Sequence, residues 1–361
     1  MNKYSYDWSL KEAEFTKDKG KVFSCFSCGG GSTMGYKLAG FDVIGCNEID
    51  KRMMYAYCRN HRPKFPFLEP IQEFKNKTDF PEELYNLDIL DGSPPCSAFS
   101  MVGVREEAWG VKKKFTEGQT EQILDTLFFD FTDLADKLKP KVVVAENVKG
   151  ILLGDAKKYV RRIYEELDKA GYYVQHFLLD ASKMGVPQKR ERVFFIGLRK
   201  DIATPFLIQK DIFTQVPQID LSFDCKPILF EEIYENNAIG LKEPAPYIKK
   251  LWKDRIITDN HCGDTSLRVR GKKIGFSQMF LHKNEVCGTL TAHPDNACQV
   301  LYDELRLLSF NEWRKIGSWP KDYDFAGLNP GYIIGMSVPP VMMAQVANRV
   351  WENWLSKINQ L

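Results

Sequence analysis

Short apolar runs alternate with helix-like segments through the first half of the chain, and this alternation constrains the fold more than any other feature. Val142 to Ala145 is a wholly apolar run, as expected for a strand inside a parallel sheet. Ala156 to Ala170 has helical character and stops at Gly171. We predict further strands over Lys21 to Cys25, Asp42 to Asn47, Leu87 to Asp91, Tyr172 to Leu179 and Arg192 to Leu198. The alternation predicts a doubly wound α/β domain over about residues 20–199.

The segment from Gln119 to Leu138 carries apolar residues at the spacing of one buried helical face. These positions are 123, 124, 127, 128, 131, 134, 135 and 138. Lys137, Lys139 and Pro140 place positive charge and a stop signal at the end of the segment. The spacing therefore predicts a helix from Gln119 to Leu138.

The character of the sequence changes after Lys200, which predicts a domain boundary there. At 361 residues, about two domains are expected. Residues 201–300 show short apolar runs, frequent Pro and Gly, and no long stretch with helical spacing. Ser309 and Glu312 resemble a capping box, and Pro339 to Leu355 is predicted to be a long helix. We predict an α/β domain over 1–199 that residues 330–361 complete, and a smaller irregular domain over 200–329.

Composition excludes several classes of protein. The chain is 44% hydrophobic and 27% charged, and no apolar run approaches the roughly 20 residues of a membrane span. The polar segment from Met1 to Gly20 lacks the apolar core of a signal peptide, so we expect a cytoplasmic protein without a membrane partner. Nine cysteines without a disulfide-like framework fit a reducing compartment. With a net charge of +2, any nucleic-acid surface must be local.

Gly92-Ser93-Pro94-Pro95-Cys96 places a thiol just after a predicted strand. Proline fixes its φ angle and lacks an N–H, so the two prolines stiffen the chain before Cys96. A lone Pro-Cys is more often a buried or incidental cysteine. Other chemistry-bearing residues at predicted strand ends favour the alternative, a thiol aimed as a nucleophile.

A turn of three glycines joins the first predicted strand to a helix. Gly29, Gly30 and Gly31 allow a cofactor to approach the backbone at a helix N-terminus. The dinucleotide fingerprint needs a third glycine where Met34 stands, which argues against a nicotinamide oxidoreductase. Glu48 ends the next strand, where an acid accepts ribose hydroxyls. Cysteines 25 and 28 have no second pair at metal spacing, so no metal is expected.

Polar residues also follow two later strands. Glu146 and Asn147 come directly after the apolar strand, on the sheet edge where such folds bind ligands. Arg190 and Arg192 are two residues apart at the start of another strand, so we expect both side chains to point to one face. Such a pair could bind an oxyanion or a phosphate. Two arginines at this spacing are also found on the exposed edge of a sheet.

Basic clusters occur in the segment after Cys96 and in the second half of the chain. Such clusters usually form solvated faces, but they are also compatible with phosphate contacts. The clusters considered for DNA are Lys112, Lys113 and Lys114, and Arg268, Arg270, Lys272 and Lys273.

Taken together, these motifs resemble those of the cytosine-C5 DNA methyltransferases of bacterial and phage type. The resemblance runs nearly end to end and keeps the order of the family's motifs. It comprises Phe26 to Gly31 with Gly35, Asn47-Glu48, Pro94-Pro95-Cys96 with Phe99-Ser100, Glu146-Asn147-Val148, Gln188 with Arg190 and Arg192, Thr289-Leu290-Thr291, Arg306 to Ser309 with Glu312, and Gly335 to Pro339.

The resemblance implies a methyltransferase sheet that binds S-adenosyl-L-methionine, beside a target-recognition domain. The implied catalytic residues are Cys96 as nucleophile, Glu146 as the acid at cytosine N3, Arg192 at O2, and Arg190 as support for the thiol or a phosphate. The implied cofactor residues are Phe26, Cys28, Gly29, Gly30, Gly31, Glu48, Ile49, Ile71, Pro95, Ser337 and Val338. The implied DNA contacts are Ser100, Lys112, Lys113, Lys114, Arg268, Arg270, Lys272, Lys273 and Gln278.

The reaction implied is methyl transfer to C5 of a flipped-out cytosine in duplex DNA, through a covalent Cys96–C6 adduct, with S-adenosyl-L-homocysteine as product. We expect the protein to be a monomer. A cognate restriction endonuclease is an expected partner. Departures from the family pattern occur at Cys28, Pro70, Ser97 and Met336, and the segment from Cys96 to Thr126 is about a dozen residues longer than usual. The alternatives are an RNA cytosine methyltransferase of the same architecture, a DNA-binding protein with a decayed site, and a pyrimidine hydroxymethylase.

Overall fold

The chain divides into two compact units. The computed structural model describes residues 3–95, 112–113, 122–123, 126–154, 156–211, 214–272, 274, 278–292 and 298–360. The first unit, called here the sheet unit, comprises Glu14–Leu179, Glu191–Ser222 and Met343–Leu361. The second unit comprises Met1–Ala13, Asp180–Arg190 and Phe223–Met342.

A seven-stranded sheet organises the sheet unit. Its strands are β1 (Lys21–Cys25), β2 (Asp42–Glu48), β3 (Phe65–Leu68), β4 (Ile89–Gly92), β7 (Val142–Val148), β8 (Tyr172–Asp180) and β9 (Glu191–Arg199). A separate antiparallel pair, β5 (Lys112–Lys113) and β6 (Gln122–Ile123), lies between β4 and β7 in the chain. The order across the sheet is β3-β2-β1-β4-β7-β9-β8.

The direction of the strands places their carboxyl ends together. β3, β2, β1, β4 and β7 are mutually parallel, and β9 is antiparallel to β7. The chain moves outward from β1 to β2 and β3 on one side, and from β4 to β7 on the other. Open α/β sheets bind ligands at the carboxyl edge beside such a reversal. The predicted α/β fold is confirmed, with β9 reversed relative to the parallel strands.

Helices and short strands complete this unit. They are α1 (Gly31–Leu38), α2 (Lys51–His61), α3 (Ile71–Phe74), α4 (Leu127–Leu138), α5 (Ala156–Lys169), α6 (Lys200–Ala203), β10 (Leu207–Gln209) and β11 (Gln215–Pro217). Short 3-10 turns occur at Glu82–Asn86, Lys149–Leu152, Ala181–Lys183 and Thr204–Phe206. One face of the sheet, including Phe23, Leu90 and Phe195, packs with Phe128 and Phe131 of α4 into an apolar core.

The second unit holds a further set of short elements. They are α7 (Pro246–Lys253), α8 (Cys262–Arg270), β12 (Met279–Leu281), β13 (Gln299–Leu301), α9 (Phe310–Ile316) and α10 (Pro330–Met336), with a 3-10 turn at Phe230–Glu232. Residues 201–300 show no long stretch with helical spacing, yet α7 and α8 form within them. α7 and α8 are short, and their stability comes from burial of Ile248, Leu251 and Cys262 in a small local core.

Other sequence predictions can be compared directly with the elements. The capping box is confirmed, since Ser309 Oγ accepts from Glu312 N at 3.0 Å and Glu312 Oε2 accepts from Ser309 N at 2.8 Å. The predicted helix at Gln119 begins only at Leu127, because Gln122–Ile123 forms β6. The predicted last helix is α11 (Pro340–Val350), which continues through a π turn (Trp351–Leu355) to α12 (Ser356–Ile358).

The units differ from the predicted domain boundaries. Residues 200–222 group with the sheet, and residues 1–13, 180–190 and 330–342 group with the second unit. In the sheet unit, Trp354 Nε1 donates to the carbonyl of Gln218 at 2.8 Å. In the second unit, Asp322 accepts from the backbone N–H groups of Leu10 and Lys11 at 2.7 and 3.0 Å. The assignment of catalysis and target recognition to these units stays a prediction.

No helix in the described ranges is long and apolar enough to cross a membrane.

We predict that Gly45→Ala in β2 lowers the free energy of unfolding by about 1–3 kcal/mol, since its Cβ would overpack the sheet. A Cβ at Gly45 would lie 2.5 Å from the backbone oxygen of Phe65, which the sheet holds in place. Gly197→Ala is the matched control, because its Cβ would lie 3.3 Å from a side-chain atom of Tyr172. Urea unfolding of both variants measures the difference. Equal losses would contradict this account of packing at Gly45.

Candidate active site

The loop after β1 makes a tight turn with a left-handed backbone. Phe26, Cys28 and Gly30 have left-handed φ angles of 54°, 45° and 83°. Within the loop, Gly30 N donates to the carbonyl of Ser27 at 2.8 Å. The chain then enters α1 at Gly31. A tight turn that leads into a helix N-terminus is suited to an anionic or polar cofactor group.

Glu48 ties this loop to the end of β2. Its Oε2 accepts from Cys28 N at 2.7 Å, and its Oε1 accepts from Ile49 N and Asp50 N at 2.8 and 2.9 Å. Burial raises the pKa of Glu48, while these three N–H donors favour the charged form. An ionised carboxylate has about four lone-pair positions, so it retains acceptor capacity for a ribose hydroxyl.

His61 lies behind the glycine turn and was not among the predicted residues. Its Nε2 is 3.4 Å from the carbonyl oxygen of Gly29. A Cβ at Gly30 would lie 2.3 Å from the same Nε2, so only glycine fits there. Burial lowers the pKa of His61 to about 3, so the ring is neutral at physiological pH. A single histidine in a polar helix gives no sequence signal for this packing role.

Glu146 and Arg192 form a buried ion pair. Arg192 Nε lies 3.0 Å from Glu146 Oε1, and the two side chains are 14% and 10% exposed. Val148 of β7 is opposite Arg192 of β9, so Glu146 and Arg192 share one face of the sheet. Burial lowers the pKa of Arg192, and the neighbouring Glu146 carboxylate opposes that shift. The structure thus brings together two residues that the sequence analysis proposed for one site.

The segment that leads to the predicted nucleophile is anchored beside this pair. Asn147 Nδ2 donates to the carbonyl of Pro94 at 3.3 Å, and Pro95 is half-buried. Other predicted residues fall outside the described ranges, namely Cys96, Ser100, Lys114 and Lys273. Lys112 and Lys113 are described only as the backbone of β5.

Arg190 has a different environment from the one expected. It precedes β9, belongs to the second unit, and is 2% exposed. Its guanidinium donates to the carbonyls of Leu290, Gly335 and Ser337 at 2.9, 2.9 and 3.1 Å. The expectation that Arg190 and Arg192 lie on one strand face is therefore wrong. The contacts of Arg190 join two chain segments of the second unit and indicate a bracing role.

Among the other predicted cofactor residues, Ile71, Ser337 and Val338 are buried and Ile49 is half-buried. Ile71 begins α3 in the sheet unit and is 3% exposed. Ser337 and Val338 follow α10 in the second unit, where Ser337 Oγ donates to the carbonyl of Ile333 at 2.8 Å. Nearby, a Cβ at Gly335 would lie 2.4 Å from the backbone oxygen of Thr291, so the two segments approach closely.

The predicted DNA-contacting residues of the second unit differ in their contacts. Arg268 is paired with Asp259, with Nη2 2.7 Å from Oδ2. Gln278 Nε2 donates to the hydroxyl of Tyr247 at 3.1 Å. Arg270 and Lys272, at the end of α8 and just beyond it, are exposed. Arg268 is exposed as well, but its ion pair with Asp259 favours Arg270 and Lys272 for phosphate contacts.

Asp91 is a further buried acid that the sequence analysis did not select. It lies in β4 and is 1% exposed. The sequence does contain a signal for it, because Asp91 follows the apolar residues of a predicted strand. A buried aspartate is rarely unpaired, so this position indicates a polar partner. Ser24 Oγ donates to Oδ2 of Asp91 at 2.8 Å, and the hydroxyl of Tyr36 donates to its Oδ1 at 3.2 Å.

Comparisons with known proteins agree on one family. The profile of the C-5 cytosine-specific DNA methylase family matches residues 20–352. The chain is 30% identical to the Type II methyltransferase M.Sau96I of Staphylococcus aureus, over 99% of this chain and 82% of the relative. It is 32% identical to the Type II methyltransferase M.Eco47II of Escherichia coli, over 97% of this chain and 82% of the relative.

Two solved structures share the fold. Spodoptera frugiperda DNMT2 superposes with a TM-score of 0.60 at 18% identity, covering 90% of this chain and 98% of that protein. Entamoeba histolytica methyltransferase EhMeth superposes with a TM-score of 0.58 at 16% identity, covering 93% and 98%. At these identities the likeness concerns the fold alone.

We predict that Gly30→Ala weakens binding of S-adenosyl-L-methionine by about tenfold or more, because a left-handed alanine costs about 1–2 kcal/mol and its Cβ would collide with His61. Gly40→Ala is the matched control, since Gly40 also has a positive φ of 96° but lies after α1, away from the loop. Isothermal titration measures both variants. Tight binding by a folded Gly30→Ala protein would contradict the proposed role of this turn.

We predict that Arg190→Met lowers thermal stability but leaves the salt dependence of DNA binding unchanged, because Arg190 donates to carbonyls. Lys272→Ala is the comparison variant, and it should reduce the slope of log affinity against log salt by about one. Filter binding over a range of salt concentrations measures both slopes. A reduced slope for Arg190→Met would show instead that Arg190 contacts a phosphate.

Proposed function

The chain belongs to the C-5 cytosine-specific DNA methylase family, and we propose that Cys96, Glu146 and Arg192 carry out its methyl transfer. The protein is a DNA cytosine-5 methyltransferase that uses S-adenosyl-L-methionine. The observation that carries the residue assignment is the buried Glu146–Arg192 pair, 3.0 Å apart at the carboxyl end of β7. β4, the neighbouring strand, leads directly to Cys96.

Cofactor binding is proposed for the loop from Phe26 to Gly31 together with Glu48. The left-handed turn, the start of α1 and the carboxylate at the end of β2 fit an adenosine group with polar substituents. When bound, S-adenosyl-L-methionine supplies the methyl group. Ile49, Ile71, Pro95, Ser337 and Val338 are proposed as further contacts with the cofactor.

The chemistry requires a nucleophile because cytosine C5 is itself unreactive toward methyl transfer. The Cys96 thiolate forms a bond to C6 while N3 takes a proton from Glu146, which makes the ring an enamine whose C5 is nucleophilic. After C5 has gained the methyl group, N3 returns its proton to Glu146, a water molecule takes the C5 proton, and the C6–sulfur bond breaks, restoring the thiolate. Because thiolate addition and N3 protonation occur together, the addition step need not form a negatively charged ring.

Arg192 is proposed to bind the cytosine O2 while it orients Glu146. The ion pair fixes the carboxyl group in one position, and the guanidinium retains further N–H donors for a second acceptor. A planar guanidinium is suited to this double role because its donors have fixed directions.

The proposed substrate is duplex DNA. A base inside the duplex must be flipped out before its C6 can be attacked. Arg270 and Lys272 are proposed phosphate contacts, with Arg268, Lys273 and Gln278 as secondary candidates and Ser100 and the Lys112–Lys114 cluster on the catalytic side. The Type II names of the relatives support a cognate restriction endonuclease. We propose that the enzyme acts as a monomer in the cytoplasm.

We predict that Cys96→Ala abolishes methyl transfer and that Glu146→Gln lowers kcat by about 10²- to 10⁴-fold, as expected for loss of a general acid. Glu191→Gln is the matched control, because Glu191 is an exposed acid next to Arg192 in sequence and should keep the wild-type rate. The assay follows labelled methyl groups into duplex DNA, and bisulfite sequencing identifies the target.

Retained activity in Cys96→Ala would contradict the proposed nucleophile. Methylation of tRNA in place of duplex DNA would contradict the proposed substrate. A wild-type rate for Glu146→Gln would remove the acid from the mechanism and leave the cysteine assignment standing.

A further inference from the structure

Asp91 is a buried carboxyl group that the reaction described above does not use. It lies in β4, is 1% exposed, and precedes Cys96 in the strand that leads to the nucleophile. Both of its hydrogen-bond donors, the hydroxyls of Ser24 and Tyr36, are uncharged. Among the described residues, no cationic side chain forms an ion pair with it. A carboxyl group removed from water normally has a cationic partner or keeps a proton.

Asp88, just before the same strand, shows the usual arrangement of a buried acid. It is 8% exposed, its Oδ1 lies 2.8 Å from Lys141 Nζ, and its Oδ2 accepts from Lys21 N at 2.7 Å. Asp91 is more deeply buried and lacks such a counter-charge. The structure therefore contains a carboxyl group whose ionised form would be stabilised by a positive charge from outside the described residues.

Asp91 adjoins the proposed cofactor loop. In the parallel pairing of β1 with β4, Asp91 is opposite Ser24, and Phe26 at the start of the loop follows Ser24 by two residues. Tyr36 belongs to α1, which begins at Gly31, the last residue of the loop. The two donors to Asp91 thus come from the elements on either side of the loop, and they fix the carboxyl group beneath it.

We propose that Asp91 supplies the counter-charge for the sulfonium group of bound S-adenosyl-L-methionine and so favours this cofactor over S-adenosyl-L-homocysteine. The inference rests on the cofactor site proposed above. The two molecules differ only in the methyl group and in the positive charge that it leaves on sulfur. A charge acts over several ångströms in surroundings of low dielectric, so Asp91 can distinguish the two molecules without touching either one.

The carboxyl group of Asp91 can ionise when a cation arrives. Burial raises the pKa of Asp91 to about 7; the hydrogen bonds from Ser24 and Tyr36 lower it, and the charge of Glu146, the partner of Arg192, raises it. In the free protein Asp91 is therefore partly protonated at neutral pH. A nearby positive charge favours the ionised form and lowers the pKa. Binding of the sulfonium thus releases a proton, and the affinity for it rises as the pH rises through this range.

The other titratable groups that interact with Asp91 do not change their charge in this range. Cys25 of β1, Tyr36 of α1 and Tyr57 of α2 have pKa values raised well above their ordinary values by burial, so they stay neutral. Glu146 of β7 is held in the ion pair described above. Asp91 is therefore the group in this region that is expected to titrate near neutral pH.

We predict that the affinity for S-adenosyl-L-methionine, relative to that for S-adenosyl-L-homocysteine, rises about fivefold between about pH 6 and pH 8, if the sulfonium lowers the pKa of Asp91 by about one unit. In Asp91→Asn this rise should be absent, because asparagine has no titratable group. Titration of the ligands themselves is common to both proteins and cancels in the comparison. Isothermal titration of both ligands into both proteins measures the ratios.

Proton release on binding gives an independent readout. At about pH 7 the wild type should release about 0.4 proton more than Asp91→Asn on binding S-adenosyl-L-methionine, and no more than the variant on binding S-adenosyl-L-homocysteine. Titrations in buffers of different ionisation enthalpy measure this number. Equal proton release by the two proteins would overturn the proposal. An equal loss of affinity for both ligands at every pH would do the same, since it indicates a purely structural role.

Ser24→Ala and Tyr36→Phe protect the test from misfolding of Asp91→Asn. Each keeps the carboxyl group but removes one donor that lowers its pKa, so the rise in relative affinity should move to higher pH. Asp88→Asn is the matched control and should keep the wild-type pH dependence, because Asp88 has its own partner in Lys141. A wild-type dependence in both donor variants, or a lost dependence in Asp88→Asn, would also overturn the proposal.

The outcome for Gly30→Ala separates this inference from the proposed cofactor site. If Gly30→Ala binds both ligands weakly and Asp91→Asn keeps the wild-type pH dependence, only the role of Asp91 fails. If a folded Gly30→Ala protein binds both ligands as tightly as the wild type, the proposed cofactor site fails, and the inference about Asp91 fails with it.

Discussion

The ion pair between Glu146 and Arg192 is the interaction on which the proposed active site depends. Its atoms are 3.0 Å apart and both side chains are largely removed from water. Removing each charge from water costs several kcal/mol. The attraction between the two charges offsets this cost only when their geometry is good, so such a pair requires accurate placement. The antiparallel β9 provides it, because this strand begins at the carboxyl edge where the parallel β7 ends. A strand in the other direction would place its first residue at the opposite edge of the sheet.

The same face of the sheet carries polar groups in two successive layers. Ser24 and Asp91 form a hydrogen-bonded lower layer, and Glu146 lies in the layer above, at the carboxyl ends of the strands. The opposite face is apolar and packs against α4 and α5. Stability and chemistry are thus divided between the two faces. The polar face contains groups that would be costly if unpaired, and their partners come from neighbouring strands and from α1.

Local patterns predicted much of the fold because buried parallel strands are apolar over their whole length. β1 matches its prediction, and β2, β4, β7, β8 and β9 were found with small differences at their ends. β3 was missed because it is short and contains Pro66, which is tolerated on a strand at the edge of a sheet. α2 was missed because its sequence is polar and its start depends on the Asp50 side chain, which accepts from Arg52 N and Met53 N.

The site was less predictable wherever its contacts join distant parts of the chain. Glu48 and Glu146 lie near the carboxyl ends of β2 and β7, and Arg192 lies at the start of the antiparallel β9, so topology alone brings them to one edge of the sheet. Arg190 was assigned to the wrong environment because its partners, Leu290 and Gly335, are 100 and 145 residues away. Asp91 has the same difficulty, since Ser24 lies 67 residues before it. Neither spacing nor composition indicates such pairings.

Trapping of the covalent intermediate tests the central claim most directly. Fluorine at C5 of the target cytosine cannot leave as a cation, so an enzyme that adds a thiolate to C6 and methylates C5 remains bonded to the DNA. In the presence of S-adenosyl-L-methionine, we expect a covalent complex between the protein and the fluorinated DNA. Mass spectrometry of the digested complex should locate the nucleotide on Cys96. Attachment to another residue, or continued methylation of unmodified duplex by a protein that never forms the complex, would contradict it.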